Sequence, residues 1–194
     1  AGGPRVGRLV RDRGAVLKQR RFRRGAAILP TLFTIGNLFL GFWALILTLR
    51  GEYAEAVPLI GWAIVMDMLD GRIARLTGTS SDFGLQFDSL ADVISFGMAP
   101  AILLFQWGLS PLGRLGWAAG FFFLAAAALR LSRFNIQSAG GGDRRYFVGM
   151  PSPPAAGIPA ATVYLYPAGL PNDFRAALPA LALVIVPAIL MVST

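Results

Sequence analysis

The sequence predicts an all-α integral membrane protein with six transmembrane helices, and three of its features support this fold class. Apolar residues make up 55% of the 194 residues, and the mean hydropathy is +0.60. Charged residues make up 14%, well below the roughly 25% that is typical of soluble domains. The apolar residues also fall into six runs, and a backbone that crosses a bilayer must satisfy its own hydrogen bonds, which favours helix.

The six apolar runs cover residues 28–48, 53–76, 85–107, 112–134, 154–168 and 174–192. A helix needs about 20 residues to cross the hydrocarbon core, so the fifth run is short for a span. Residues 1–27 are polar and basic, and we expect a juxtamembrane tail or an interfacial helix there. The six-helix domain is then expected over residues 28–194.

The positive charges are divided unequally between the two sides of the predicted membrane domain. Fifteen of the 18 Lys and Arg residues fall on the side of the N-terminus, and the other side receives Arg50, Arg114 and Arg175. Cytoplasmic segments are enriched in Lys and Arg, so the N-terminus is predicted to be cytoplasmic. The ends of runs two and three meet on that side. We therefore expect a cytoplasm-facing site in a bacterial-type inner membrane, with anionic lipid rather than nucleic acid as the partner of the basic residues.

The chain contains no Cys and no His. This composition excludes disulfides, thiolate nucleophiles, Cys/His zinc sites and histidine acid–base catalysis. Carboxylates remain as the main charged ligands and bases, and their oxygens suit hard cations.

Four regularly spaced carboxylates lie in the apolar part of the chain: Asp67, Asp70, Asp88 and Asp92. Spacings of three and four residues place each pair on one face of a helix. Four carboxylates that meet would repel one another, and two divalent cations about 3.5–4 Å apart would compensate them, as in two-metal phosphoryl-transfer sites. Asp82 falls in the predicted turn between the pairs and is expected to be a solvated loop residue.

Two other interpretations of these charges are structural or transport-related. The acids could form interhelical ion pairs, for example Asp70 with Arg75 or Asp92 with Arg133. They could also carry cations across the membrane, although transporters favour broken helices and internal repeats around the midplane, and no repeat is visible.

The stretch reads D-x-x-D-G-x-x-A-R, eight residues, then G-x-x-x-D-x-x-x-D, with Asp67 first and Asp92 last. In this it resembles the CDP-alcohol phosphatidyltransferase family, and every signature position matches. Segments 129–135 and 147–153 are similar to the branch of that family that uses serine as acceptor. The sequence has Thr31 and Met150 where that branch usually has Asn and Leu.

The resemblance implies transfer of the phosphatidyl group from CDP-diacylglycerol to the hydroxyl of L-serine, with release of CMP. It implies two divalent cations, Mg²⁺ or Mn²⁺, with Ca²⁺ as a non-productive substitute, and a homodimer. Another acceptor, such as glycerol 3-phosphate, inositol phosphate or an aminoalcohol, is the alternative within the same chemistry.

The predicted site residues fall into four groups. The metal ligands are Asp67, Asp70, Asp88 and Asp92, and Asp92 is also the candidate general base. The predicted contacts to the CDP moiety are Gly71, Arg75, Gly84, Asp70, Thr34 and Asn37, although Thr34 and Asn37 could equally cross-link helices. The predicted contacts to the acceptor or its phosphate are Arg133, Asn135, Arg130 and Ser152.

Overall fold

A computed structural model describes residues 31–78, 81–139 and 149–193. These residues form six helices and no β-strand, which confirms the all-α prediction. The basic segment 1–27 lies outside the described residues, and so do Arg144 and Arg145 in the loop after the fourth helix.

The six helices follow the order of the predicted runs. They are α1 (Thr31–Leu49), α2 (Tyr53–Thr77), α3 (Asp82–Leu112), α4 (Arg114–Ala139), α5 (Ser152–Leu165) and α6 (Phe174–Val192).

Four of these helices, α1, α3, α4 and α6, are long and apolar enough to cross a membrane, which supports an integral membrane protein. The prediction of six such helices is borne out only for these four. Helix α5 has 14 residues, which gives about 21 Å of helix against a hydrocarbon core of about 30 Å. Helix α2 has 25 residues, but its second half contains Asp67, Asp70, Arg72 and Arg75.

The start of α3 corrects one prediction. The helix begins at Asp82, three residues before the predicted run, so Asp82 is helical rather than part of the turn. Ser81 makes this start possible, because its hydroxyl accepts a hydrogen bond of 3.0 Å from the N–H of Gly84. Asp82 is exposed, as expected, and its charge favours the N-terminal end of the helix.

Helix α3 is not a regular α-helix along its whole length. It contains two π-helical stretches, Val93–Met98 and Phe105–Leu109, and ends in a 3₁₀ turn at Ser110–Leu112. The first π-helical stretch begins directly after Asp92. Such wide turns are rare and often lie at functional sites.

The core lies between α3, α4 and α6, with α2 packed against α5. Its largest fully buried apolar side chains include Phe96 and Leu103 of α3 and Phe123 of α4. Large apolar side chains such as Phe42, Trp62 and Phe121 are exposed on the outer surface. An outer surface of this kind fits contact with lipid.

Candidate active site

Three carboxylates converge where the end of α2 meets the start of α3. One oxygen each from Asp67, Asp70 and Asp88 lies within 4.8 Å of the other two. Asp70 is buried, and the other two are half-buried. Asp92, one turn further along α3, is buried but does not belong to this cluster.

This carboxylate cluster of Asp67, Asp70 and Asp88 fits a divalent cation by its own chemistry. Oxygen Oδ1 of Asp88 is buried and has no hydrogen-bond partner among the residues that the structure describes. An unpaired buried carboxylate oxygen is costly, and a cation would compensate both that oxygen and the repulsion among the three acids. Carboxylate oxygens are the ligands that Mg²⁺ and Ca²⁺ prefer.

Helix α1 contacts two of the four carboxylates directly. The hydroxyl of Thr34 donates to Asp70 Oδ2 at 3.0 Å, and Nδ2 of Asn37 donates to Asp92 Oδ1 at 3.1 Å. Both α1 side chains are buried. The two α1 residues predicted near the CDP moiety therefore bind Asp70 and Asp92.

Arg130 of α4 brings a positive charge to the same place. Its guanidinium interacts electrostatically with Asp92 and Asp67. Its Nη1 donates a hydrogen bond of 2.6 Å to the hydroxyl of Ser152, which is fully buried in the first turn of α5. The bond to Ser152 restricts the positions that the long arginine side chain can take.

The other two predicted acceptor residues have different partners. Arg133 is exposed, and its Nη1 donates to the carbonyl of Val192 at 3.1 Å, at the end of α6. A cation there complements the negative end of the helix dipole. The amide of Asn135 donates to the hydroxyl of Ser89 at 2.8 Å and so connects α4 to α3 next to Asp88.

The remaining predicted residues lie on α2 and α3, close in sequence to the carboxylates of the cluster. Arg75 is exposed in the last turn of α2, and an added Cβ on Gly71 would lie 4.0 Å from its Nη2. Arg75 and Gly71 are thus adjacent on the surface of α2. Gly84 lies in the first turn of α3, where an added Cβ would come within 3.1 Å of the Ser81 hydroxyl.

Three serines of the site region were not predicted as functional residues. Ser81 caps α3, Ser89 binds Asn135, and the hydroxyl of Ser95 donates to the backbone carbonyl of Asn37 at 3.0 Å. One signal was available for Ser95. It follows Asp92 by three residues, which places it on the same face of a helix, in an otherwise apolar run.

The helices and the carboxylate cluster together define an integral membrane protein with an acidic site that suits hard cations. Residues 27–192 match the family model of the CDP-alcohol phosphatidyltransferases, and the chain therefore belongs to that family.

Several individual proteins are similar to this chain. The CDP-diacylglycerol–serine O-phosphatidyltransferase of Helicobacter pylori (strain ATCC 700392 / 26695) is 41% identical over 138 residues, which are 71% of this chain and 58% of that protein. The protein of the same name in Mycobacterium leprae is 38% identical over 133 residues, or 66% of this chain and 44% of the relative. The archaetidylserine synthase of Methanothermobacter thermautotrophicus is 35% identical over 168 residues, which are 86% of this chain and 67% of that protein. The chain thus spans about half to two thirds of these relatives.

Proposed function

We propose that the protein transfers the phosphatidyl group of CDP-diacylglycerol to the hydroxyl of L-serine and releases CMP. The observation that carries this proposal is the carboxylate cluster with Arg130 beside it, because the two together offer sites for cations and for an anionic acceptor group. Membership of the CDP-alcohol phosphatidyltransferase family supports the donor. The names of the three relatives above all include serine, which supports the acceptor.

Asp67, Asp70 and Asp88 are the proposed ligands of two divalent cations, Mg²⁺ or Mn²⁺. Bound cations would neutralise the pyrophosphate and the negative charge that develops on the leaving CMP. The hydrogen bond from Thr34 fixes the carboxylate of Asp70 toward its neighbours. Gly71 directly follows Asp70, Gly84 lies one turn before Asp88, and Arg75 lies next to Gly71; these three residues are the proposed contacts of the CDP moiety.

The reaction forms one P–O bond and breaks another. The serine oxygen bonds to the phosphorus that carries the diacylglycerol group, the bridging P–O bond breaks, and CMP leaves with the bonding electrons. The hydroxyl proton goes to a base, and Asp92 is the proposed base because it lies next to the carboxylate cluster without belonging to it.

Arg130 is the proposed partner of the serine carboxylate. A guanidinium binds a carboxylate through two parallel hydrogen bonds, and burial strengthens such a pair. Its charge already acts on Asp67 and Asp92, whereas Arg133 is bound to the end of α6. Among the arginines that the structure describes, Arg130 is the one whose charge acts on these acids, and one guanidinium suits an amino acid better than an acceptor that carries a phosphate group.

The membrane arrangement is also part of this proposal. Helices α2 and α5 complete a six-span bundle whose N-terminus and carboxylate cluster face the cytoplasm, because the basic residues favour that side. The charged residues in the second half of α2 would then lie among the lipid headgroups and not in the hydrocarbon core. A homodimer is proposed from the family resemblance.

An acceptor panel tests the assignment. Purified protein with CDP-diacylglycerol and Mg²⁺ or Mn²⁺ is expected to release CMP rapidly with L-serine, and far more slowly with glycerol 3-phosphate, inositol phosphate or an aminoalcohol. The measurement is CMP formed per minute at equal acceptor concentration. A faster reaction with a phosphorylated acceptor would contradict the serine assignment but leave the transfer chemistry in place.

Arg130→Gln is expected to raise the KM for serine by roughly 10- to 100-fold, because a charge-assisted hydrogen bond contributes about 1.5–3 kcal/mol. The KM for CDP-diacylglycerol should change much less. Arg130→Lys keeps the charge but loses the two-pronged geometry, so its KM should lie between those of the wild type and Arg130→Gln. A larger rise in the serine KM for Arg133→Gln than for Arg130→Gln would show that Arg133, and not Arg130, binds the serine carboxylate.

A further inference from the structure

Asn37 has an arrangement that packing alone does not explain. Its side chain is fully buried, its Nδ2 donates to Asp92, and its Oδ1 is buried with no hydrogen-bond partner among the described residues. An unpaired buried amide oxygen costs free energy, which an apolar side chain of similar size would avoid. The benefit of the amide must therefore come from its other end, the bond to Asp92.

The charge of Asp92 also selects the orientation of this amide. With Asp92 ionised, as the proposed base must be before it takes a proton, a flipped amide would turn its oxygen toward the carboxylate oxygen, and the two would repel. The NH₂ end therefore faces Asp92, and the unpaired Oδ1 follows from that choice. The bond engages Oδ1 of Asp92 with α1, and Oδ2 remains for contact with an acceptor.

The backbone of Asn37 is held as firmly as its side chain. Its carbonyl accepts the hydrogen bond from Ser95, which is fully buried on α3. One turn along α1, Gly41 permits close contact of the two helices, since an added Cβ there would overlap Ser95. Ser95 lies in the π-helical stretch that begins directly after Asp92, so the residue that binds the Asn37 backbone follows its side-chain partner Asp92 by three positions.

We propose that Asn37 is a positioning residue that holds Asp92 with Oδ2 directed at the acceptor hydroxyl, and that Ser95 keeps Asn37 in register. The role rests on the proposed function, and it replaces the sequence-based prediction that Asn37 binds the CDP moiety. Asn37 acts through Asp92 and does not touch the reacting atoms.

The test is steady-state kinetics of Asn37→Leu, which has similar volume but no hydrogen-bond donor. Its kcat is expected to fall roughly 100-fold, as for other misplaced catalytic groups, with the KM for CDP-diacylglycerol within about threefold of the wild type. Ser95→Ala should show the same pattern with a smaller fall in kcat. The rates are measured with whichever acceptor of the panel gives the fastest CMP release.

Thr48→Val is the matched control. Thr48 is also buried on α1, and its hydroxyl bonds to the Ala44 carbonyl of the same helix, roughly 16 Å along the axis from Asn37. This variant should keep the wild-type kcat. A shift of the melting temperature on adding CDP-diacylglycerol to Asn37→Leu would show that its low activity does not reflect an unfolded protein.

Each other outcome has a distinct meaning. An unchanged kcat in Asn37→Leu overturns the positioning role alone. A raised KM for CDP-diacylglycerol at unchanged kcat overturns it too, and makes Asn37 a donor-binding residue. A loss of the thermal shift together with activity makes Asn37 a structural residue. If none of the acceptors in the panel leads the wild type to release CMP, the proposed function and the positioning role both fail.

Discussion

Asp88→Asn is expected to lower kcat by roughly 1,000-fold, because losing about 4 kcal/mol of charge stabilisation in the transition state corresponds to that factor. Asp88 is a member of the carboxylate cluster, and its buried Oδ1 has no other partner in the described part of the chain. Asn keeps the size and one oxygen but removes the charge that would hold a cation. The measurement is CMP release at saturating CDP-diacylglycerol and serine, with the Mn²⁺ concentration varied.

Asp82→Asn is the matched control for this prediction. The two residues lie on the same helix six positions apart, but Asp82 is exposed at the first residue of α3. Its replacement should leave kcat unchanged and slightly weaken the start of the helix. Near-wild-type activity in Asp88→Asn, at any Mn²⁺ concentration, would contradict the assignment of the cluster as a metal site.

Gly149→Ala is expected to destabilise the protein by about 3 kcal/mol or more, because it combines backbone strain with steric overlap. Gly149 has a φ of +81°, and an added Cβ would overlap the carbonyl of Met191 near the end of α6. The neighbouring N–H of Met150 donates to the Leu190 carbonyl at 2.8 Å, so the segment before α5 is fixed to α6. Thermal unfolding in detergent measures the loss.

Gly51→Ala separates strain from overlap. Gly51 has nearly the same φ, +79°, but nothing lies within 4 Å of an added Cβ there. Its replacement should cost only the strain of a left-handed backbone, about 1 kcal/mol. Equal losses in the two variants would show that the contact with Met191 contributes nothing.

Gly149→Ala should also raise the KM for serine, since it displaces Ser152 and with it Arg130.

The sequence predicted the helices and the carboxylates well because both depend on local patterns. Run six, 174–192, coincides with α6, and three of the four carboxylates that were expected to meet, Asp67, Asp70 and Asp88, lie in one cluster, whereas Asp92 does not belong to it. The predicted start of the third run is three residues later than the start of α3. The prediction relied on hydropathy, and the polar residues Ser81 and Asp82 have the low hydropathy that is typical of a loop. As a cap and a first-turn acid they in fact begin the helix.

The partners of the arginines could not be predicted in the same way. Arg130 and Arg133 lie three residues apart in the second half of α4, and their sequence contexts are nearly equivalent. The positions of Ser152 and of the Val192 carbonyl distinguish them, and both positions depend on how α5 and α6 pack against α4. Hydrogen bonds between residues that are 22 and 59 positions apart are set by tertiary structure, which no local pattern encodes.

The direct contacts around the carboxylates also have a consequence for biosynthesis. Thr34 meets Asp70 across 36 positions, Asn37 meets Asp92 across 55, and Ser152 is the latest residue in the chain to join the group. A chain is made from its N-terminus, so the acids emerge from the ribosome well before the serine that holds Arg130. A partly synthesised chain in the membrane would carry the acids without the orientation of that arginine. The ability to select an acceptor is therefore expected to arise only once α5 has packed against α4.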